Sequence, residues 1–164
     1  MRWLLIAIAV LVALGLLVAV VGWLLPVAHV ATRQASLAAS PDAVWKTITD
    51  VDAFPTWRGD VKSVERVPGN GKLTWIERGG SETMTFTVDV SDPPHRLVTR
   101  IADPRLPFGG TWTYELSSSG SGTVLRITEH GEIYNPIFRA LARFVFGYES
   151  TMRSYLDALK KKVG

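Results

Sequence analysis

The sequence predicts an α+β fold in which a curved antiparallel sheet surrounds one long C-terminal helix, with a further helix at the N terminus. Three observations predict it: an uncharged apolar run near the start, a series of short segments of alternating polarity, and an apolar stripe of helical period near the end. The 164 residues, of which 47% are hydrophobic, can bury one well-packed core but not two. We therefore expect one domain and one N-terminal helix.

The N-terminal helix is predicted by the run at 3–25, which contains no ionisable side chain. As a helix this run reaches about 34 Å, slightly more than the hydrocarbon core of a bilayer, which is roughly 30 Å thick. Trp3 and Trp23 lie near its two ends, as interfacial tryptophans do, and Pro26 ends the run. We expect a retained single-pass transmembrane anchor over residues 1–26.

The alternative for this run is a cleaved signal peptide. The apolar region of a signal peptide is usually shorter, roughly 7 to 15 residues, and no small-x-small cleavage pattern follows Leu25. Arg2 precedes the run, whereas His29 and Arg33 follow it, so the charge distribution favours a cytoplasmic N terminus only slightly. The side of the membrane on which the domain lies therefore stays open.

The composition excludes several classes of protein. The formal net charge is +3, and much of the excess lies in Lys160, Lys161 and Lys162 rather than in a basic stripe, so we expect no nucleic-acid partner. The chain has no cysteine, which excludes disulfides, thiolate catalysis and zinc fingers. It also has no HExxH motif and no paired-histidine spacing, so we expect neither a metal nor a cofactor.

The middle of the chain predicts strands and short helices. Ser40, Pro41 and Asp42 mark a helix start, because a serine cap, a proline at the first helical position and an early acidic residue all stabilise a helix N terminus. A short helical piece is expected at 51–57. Strands are predicted at 33–38, 61–67, 73–78, 82–90, 97–101, 110–116 and 123–131, separated by turns rich in glycine, proline and serine.

Two hairpins can be tested by parity, since cross-strand partners lie on the same side of a sheet. Pairing Leu116 with Thr123 brings the large apolar residues of the later hairpin onto one face. Pairing Arg78 with Ser81 does the same for the hairpin around the Gly-Gly turn. The two hairpins thus predict a sheet with one apolar face.

One long C-terminal helix is predicted to begin with Asn135 as its cap and Pro136 as its first residue. An apolar stripe at steps of three and four must lie against the sheet. The stripe consists of Ile137, Leu141, Phe144, Tyr148, Met152, Tyr155 and Leu159. The charged residues off the stripe are expected on a solvated outer face, and they are Arg139, Arg143, Glu149, Arg153 and Asp157.

Four stretches resemble the START-like (SRPBCC) superfamily, in particular its polyketide cyclase/dehydrase and lipid-transport branch. They are SPDAVWKTITDVDAFPTW at 40–57, PFGGTWTYEL at 107–116, GTVLRITEHGEIYNP at 122–136 and ARFVFGYESTMRSYLDAL at 142–159. The resemblance covers 33–163 and implies a helix-grip fold for a ligand-binding domain at 27–164. It implies no particular reaction, because ligand carriers, cyclases, dehydratases and hydrolases share this fold.

The inward-facing residues of the sheet and of the last helix are the candidates for lining a cavity and binding a ligand. The alternative for each of them is plain hydrophobic core. As a set they favour an apolar ligand with a few polar atoms, because tryptophan and tyrosine carry polar groups and methionine packs adaptably. The candidates are Trp57, Trp75, Met84, Phe86, Trp112, Tyr114, Phe144, Tyr148 and Met152.

Catalytic signals are weak, and no catalytic residue is assigned. Glu129 shares the apolar face of its strand, where a surface or an ion-paired carboxylate is favoured over a carboxylate at the cavity rim. Glu77 and Glu82 flank a hairpin turn, where a solvated tip is favoured over a close pair that raises the pKa of one carboxyl. His29 is assigned to the linker after the anchor, and His95 to an exposed turn.

Two functions from different classes remain open. The favoured one is a non-enzymatic membrane protein that binds or transfers a small hydrophobic ligand, such as a lipid, an isoprenoid, a quinone or a polyketide-like molecule. The alternative is a cyclase or dehydratase for an enolisable apolar substrate, with Glu129 or Tyr114 moving protons. A third hypothesis is an interaction or stress-related module with a collapsed cavity. The sequence identifies no protein partner.

Overall fold

The computed structural model describes residues 1–68, 71–80 and 82–164. The helices are α1 (Arg2–Leu24), α2 (Pro41–Thr49), α3 (Pro136–Leu141) and α4 (Ser150–Val163), with a 3-10 turn at Val51–Thr56 and a π-helical turn at Ala142–Phe146. The strands are β1 (Ala28–Leu37), β2 (Ser63–Val67), β3 (Thr74–Gly79), β4 (Glu82–Asp92), β5 (Arg96–Ile101), β6 (Phe108–Ser119) and β7 (Gly122–Ile133). These elements confirm the predicted α+β class.

Seven strands within the described ranges form one antiparallel sheet in the order β1-β7-β6-β5-β4-β3-β2. Strands β2 to β7 follow one another along the chain, whereas β1 lies beside β7 at the edge. The side chains of Met152 and Leu159 from α4 pack with Leu125 and Ile127 of β7 in the main core. The structure therefore confirms a sheet folded around a C-terminal helix.

The β6–β7 hairpin keeps the predicted apolar face in a different register. Leu116 pairs with Leu125 rather than with Thr123. The predicted register was wrong because both strands extend further, to a tight turn at Gly120, whose φ of +59° suits glycine. A shift of two residues leaves every side chain on its original face, so the prediction of an apolar inner face is unaffected.

The β3–β4 hairpin differs from its prediction in the same way. Arg78 pairs with Thr83, and β3 continues through Gly79 before the chain turns at Gly80, whose φ is +53°. The predicted partner, Ser81, lies outside the described residues. Here too the register moves by two and the inner face stays the same.

The C-terminal helix is shorter than predicted, and its predicted start at Asn135 was wrong. Helix α3 passes into the π-helical turn, which ends at Gly147 with a φ of +73°, and a separate helix begins at Ser150. Residues with a side chain rarely adopt such a φ, so Gly147 permits the break. Just before the break, the three consecutive apolar residues at 144–146 do not follow a helical period.

The break reverses three assignments on this part of the chain. Ile137 and Phe144 are 45% and 68% exposed rather than packed on the sheet. Arg139, expected on a solvated face, is only 7% exposed and donates a hydrogen bond from Nη1 to the carbonyl oxygen of Leu25 at 2.7 Å. The reason is that α3 packs beside the end of α1 and does not continue the axis of α4.

Helix α1 is long and apolar enough to cross a membrane by its length and composition. Its large side chains are mostly exposed, whereas Gly22 is buried. Strand β1 begins at Ala28 rather than at the predicted residue 33, because 28–32 also pair with β7. The division into an anchor at 1–26 and a domain at 27–164 stays a prediction.

Candidate functional site

A cavity of about 740 Å³ lies between the inner face of the sheet, helix α4 and the segment around the π-helical turn. Its walls are mainly apolar, with a small number of polar side chains. This volume suits a small organic ligand. A hollow of this size contradicts the hypothesis of a module with a collapsed cavity.

The cavity occupies one end of the sheet. At that end Ile101 of β5 pairs with Phe86 of β4, and Phe108 of β6 pairs with Ile133 of β7. The backbone N–H of Ile133 in turn donates to the carbonyl oxygen of Val27 at 2.9 Å. The cavity therefore lies at the end of the sheet from which α1 leaves the domain.

Six of the nine predicted ligand-binding residues line this cavity, and they are Trp75, Met84, Phe86, Trp112, Tyr114 and Tyr148. They come from β3, β4, β6 and the connection before α4. Alternation placed the strand residues on one inner face, and the antiparallel order brings those faces together. Their role in binding a ligand stays a prediction.

The other three candidates lie elsewhere. Trp57 packs against Phe54 and Tyr155, with ring centroids 5.6 and 5.5 Å away, between the two core clusters. Met152 is fully buried in the main core. Phe144 points outward because the helix breaks at the π-helical turn, so the single stripe on which its assignment relied does not exist.

A buried ion pair forms one polar end of the cavity. Arg58, which follows the 3-10 turn, donates from Nη1 to Oε1 of Glu77 on β3 at 2.9 Å, and the same oxygen accepts from Nε1 of Trp75 at 2.9 Å. The second guanidinium nitrogen donates to Asp60 at 2.7 Å. Burial would lower the pKa of Arg58, but the carboxylates of Glu77 and Asp60 outweigh burial and raise it, so Arg58 stays charged.

Glu77 keeps one oxygen free. The side chain is 4% exposed, and Oε2, which is buried, has no hydrogen-bond partner within the described part of the chain. The prediction of a solvated hairpin tip was therefore wrong for Glu77, while the side chain of Glu82 lies outside the described residues. A buried acceptor without a partner is energetically costly.

Two tyrosines lie beside the ion pair. Tyr114 and Tyr155 have ring centroids 5.8 Å apart, and the guanidinium carbon of Arg58 is 5.5 Å from the ring of Tyr155. Burial raises the pKa of Tyr114 to about 12 and also raises the pKa of Tyr155. Both phenols therefore stay neutral at physiological pH, which makes them hydrogen-bond partners rather than bases.

A second polar pair lines the cavity near the start of β1. Nε2 of His29 lies 3.4 Å from Oε1 of Glu129, and the imidazole stacks on Tyr148 with ring centroids 3.9 Å apart. Trp112, the cross-strand partner of Glu129, also interacts with that carboxylate. Burial raises the pKa of Glu129 even though His29 and Trp112 favour its charged form. Glu129 thus lies in the cavity wall, with His29 and Trp112 as its polar neighbours.

Over residues 28–164 the chain matches the family described as polyketide cyclase / dehydrase and lipid transport. The chain belongs to this family. The match covers most of the chain and confirms the resemblance found in the four sequence stretches. A search of curated proteins gives no match.

Several solved structures share the fold of this chain. The aromatase/cyclase Zhui from Streptomyces sp. R1128 is similar at a TM-score of 0.68 and 16% identity, over 83% of this chain and 93% of that one. A START superfamily protein from Mycobacterium smegmatis is similar at 0.62 and 18%, over 82% and 97%. The di-domain ARO/CYC StfQ from the steffimycin pathway is similar at 0.67 and 15%, over 84% of this chain and 51% of that chain, so this chain spans about half of it. At these identities the likeness concerns the fold alone.

The sequence did not predict that Arg58 and His29 are polar residues of the cavity wall. Arg58 carries no local signal, because its partner Glu77 belongs to a distant strand. His29 had a signal: once β1 is extended back to Ala28, alternation places it on the same face as the buried Ala31. In the described ranges no group of three or more metal-ligating side chains lies together.

Proposed function

We propose that this family member is a membrane-anchored protein that binds or transfers a small apolar ligand carrying a hydroxyl group. The observation that supports this most directly is the mainly apolar cavity of about 740 Å³ at the end of the sheet nearest α1. The family description includes lipid transport as well as cyclisation, so membership is compatible with a carrier. The favoured sites are the six predicted residues in its wall, together with Glu77.

The membrane anchor is supported by the surface of α1. A long helix with exposed side chains such as Trp3, Leu11 and Leu17 is unfavourable in water and stable in a bilayer. A retained helix is favoured over a cleaved signal peptide because Gly22 packs against Pro136, and cleavage would uncover that contact. The sequence leaves open the side of the membrane on which the domain lies.

The hydroxyl group is inferred from the buried ion pair. Oε1 of Glu77 is occupied by Arg58 and Trp75, whereas Oε2 has no partner among the described residues. A hydrogen bond to a charged group contributes about 1.5–3 kcal/mol, so a hydroxyl at this point adds roughly tenfold or more to affinity. The rest of the cavity wall is mainly apolar and therefore favours a ligand that is apolar apart from its hydroxyl group.

Two fluorescent probes that differ by one hydroxyl test this proposal. We expect the full chain in detergent micelles to bind 1-pyrenebutanol roughly tenfold more tightly than 1-butylpyrene. Binding is measured by energy transfer to pyrene in a chain with Trp3→Phe and Trp23→Phe, so that probe dissolved in the micelle near α1 gives no signal and Trp75 and Trp112 report on the cavity. In parallel, mass spectrometry of an organic extract of the purified protein identifies any ligand carried from the cell.

The matched variant combines Arg58→Met with Glu77→Leu, which removes the polar end of the cavity without leaving a buried charge unpaired. It is expected to bind the two probes equally while retaining its affinity for 1-butylpyrene. Failure of the unmodified chain to bind either probe, together with an empty extract, contradicts the proposal. A preference for the hydroxyl that persists in the variant refutes the role of Glu77.

A second candidate function is proton transfer at an enolisable ketone, and the His29–Glu129 pair is the observation that favours it. In this reaction the Glu129 carboxylate removes a proton from the carbon beside the carbonyl, giving the enolate, which regains a proton at the same carbon. His29, 3.4 Å from Oε1 of Glu129, orients the carboxylate. Tyr114, whose pKa burial raises to about 12, stays protonated and can donate a hydrogen bond to the ketone oxygen.

Hydrogen–deuterium exchange of 2-tetralone in deuterated water tests this candidate. Because only ionised Glu129 is a base, the protein-dependent rate should rise with pH through the raised pKa of this group. NMR measures the rate, and Glu129→Gln should abolish the protein-dependent part while binding of 1-butylpyrene persists. Equal exchange by the variant and the unmodified chain excludes this role.

A further inference from the structure

Helix α1 makes a close contact with the first turn of α3. A Cβ atom on Gly22 would lie 1.8 Å from the carbonyl oxygen of Pro136, so the two backbones approach to a distance that only glycine allows. Gly22 is also buried, in contrast to the exposed residues around it. The C-terminal end of α1 is therefore packed against the domain and does not hang from it by a free linker.

Arg139 joins the same two elements. Its guanidinium donates to the carbonyl oxygen of Leu25 at 2.7 Å and to that of Tyr134 at 3.3 Å. The carbonyls at the end of α1 lack partners within the helix, and a positive charge is favourable there. Arg139 thus holds α3 at the level of the last turn of α1, where Trp23 is 72% exposed.

The segment at 136–146 exposes large apolar side chains close to this contact. Ile137, Phe138, Phe144, Val145 and Phe146 are between 45% and 68% exposed. Scattered apolar residues on a surface are normal, but a cluster of this kind beside a candidate membrane span is not. A short amphipathic helical segment buries such a face in the headgroup region of a bilayer.

The same segment forms part of the cavity wall. Phe138, Leu141 and Phe146 line the cavity, as do the loop and strand residues at 106–110. Phe138 and Phe146 are also 50% and 66% exposed, so each lies at the boundary between the cavity and the outside. The exposed part of the wall therefore lies where α1 would enter the membrane.

We propose that residues 136–146, here called the interfacial segment, lie in the headgroup region of the leaflet next to the end of α1. The cavity then exchanges its ligand directly with this leaflet, between the interfacial segment and the residues at 106–110. The exchange route rests on the proposed carrier function, whereas the position of the segment rests only on α1 spanning the membrane.

Single-cysteine labelling tests the position of the segment, and the natural chain has no cysteine to interfere. Val145→Cys carries an environment-sensitive nitrobenzoxadiazole label, and Ser118→Cys is the control. Ser118 lies near the other end of β6, about 34 Å from Phe108 at the usual rise per residue. In phosphatidylcholine vesicles, the label at position 145 should shift to the blue and be quenched by spin-labelled lipid, while the label at 118 should not. Equal accessibility of both labels to water overturns the proposed position.

Loading kinetics test the exchange route. Val145→Asp places a charge in the headgroup region, and Val90→Asp is its control, since Val90 is also exposed and neither valine lines the cavity. In proteoliposomes, 1-pyrenebutanol should reach the cavity roughly tenfold more slowly in Val145→Asp than in Val90→Asp, while equilibrium affinity in micelles stays equal. Equal loading rates refute the route. Absence of probe binding by the unmodified chain in micelles contradicts both the carrier function and the exchange route. The position of the interfacial segment is then still decided by the labels at positions 145 and 118.

Discussion

Replacing Glu77 with alanine is expected to lower the free energy of unfolding by about 3 kcal/mol. The side chain of Arg58 is 12% exposed, and the variant leaves its charge with Asp60 as partner, a residue that is itself 64% exposed. The indole N–H of Trp75 also loses its acceptor. For a chain of this length, the loss corresponds to a melting temperature about 9 °C lower. Near-ultraviolet circular dichroism of the full chain in detergent micelles measures it.

Two variants serve as controls for this effect. Glu65→Ala breaks an exposed pair with Arg78 and should cost no more than about 0.5 kcal/mol. Arg58→Met combined with Glu77→Leu removes both buried charges and should recover most of the lost stability, although the indole N–H of Trp75 still lacks its acceptor. If Glu77→Ala lowers the free energy of unfolding no more than Glu65→Ala does, then Glu77 and Arg58 do not form a buried ion pair. The hydroxyl site inferred from Glu77 then loses its basis.

The importance of this ion pair was not visible in the sequence, and the reason is physical. Alternation reports which face of a strand a residue occupies, and it correctly placed Trp75, Trp112 and Tyr114 on the inner face. It gives no information on which residues from distant elements meet. Arg58 and Glu77 are brought together only by packing of the loop after the 3-10 turn against β3, so neither residue carries a local signal.

The C-terminal region shows a different limit of sequence reasoning. The helical stripe was followed correctly from Met152 to Leu159, where α4 packs on the sheet. Upstream of Gly147 the same spacing led to the wrong placement of Phe144 and Arg139, because one glycine at a positive φ starts a new helix direction. A period describes a stripe along one axis and is uninformative once the axis changes. The buried Arg139 and the exposed Phe144 are consequences of that change.

The two methionines assigned to the cavity wall differ in structure, and this difference predicts different stabilities. Met152 is fully buried among core side chains, so Met152→Ala leaves a void and should lower the free energy of unfolding by about 3 kcal/mol. Met84 is half-buried and already faces the hollow, so Met84→Ala removes fewer contacts and should cost about 1 kcal/mol. Thermal unfolding of the two variants in the same detergent measures the contrast.

Ligand affinity should show the opposite order for these two variants. Met84→Ala changes the wall that an apolar probe touches, and it should weaken binding of 1-butylpyrene several-fold, by about 1 kcal/mol. Met152→Ala should leave that affinity unchanged at temperatures at which the variant is folded, because Met152 lies behind the wall. Similar stability losses in both variants, or a larger affinity loss in Met152→Ala, would mean that Met84 does not line the cavity. The reversed orders then separate a residue that fills the core from one that faces the ligand, a distinction that hydrophobicity alone does not make.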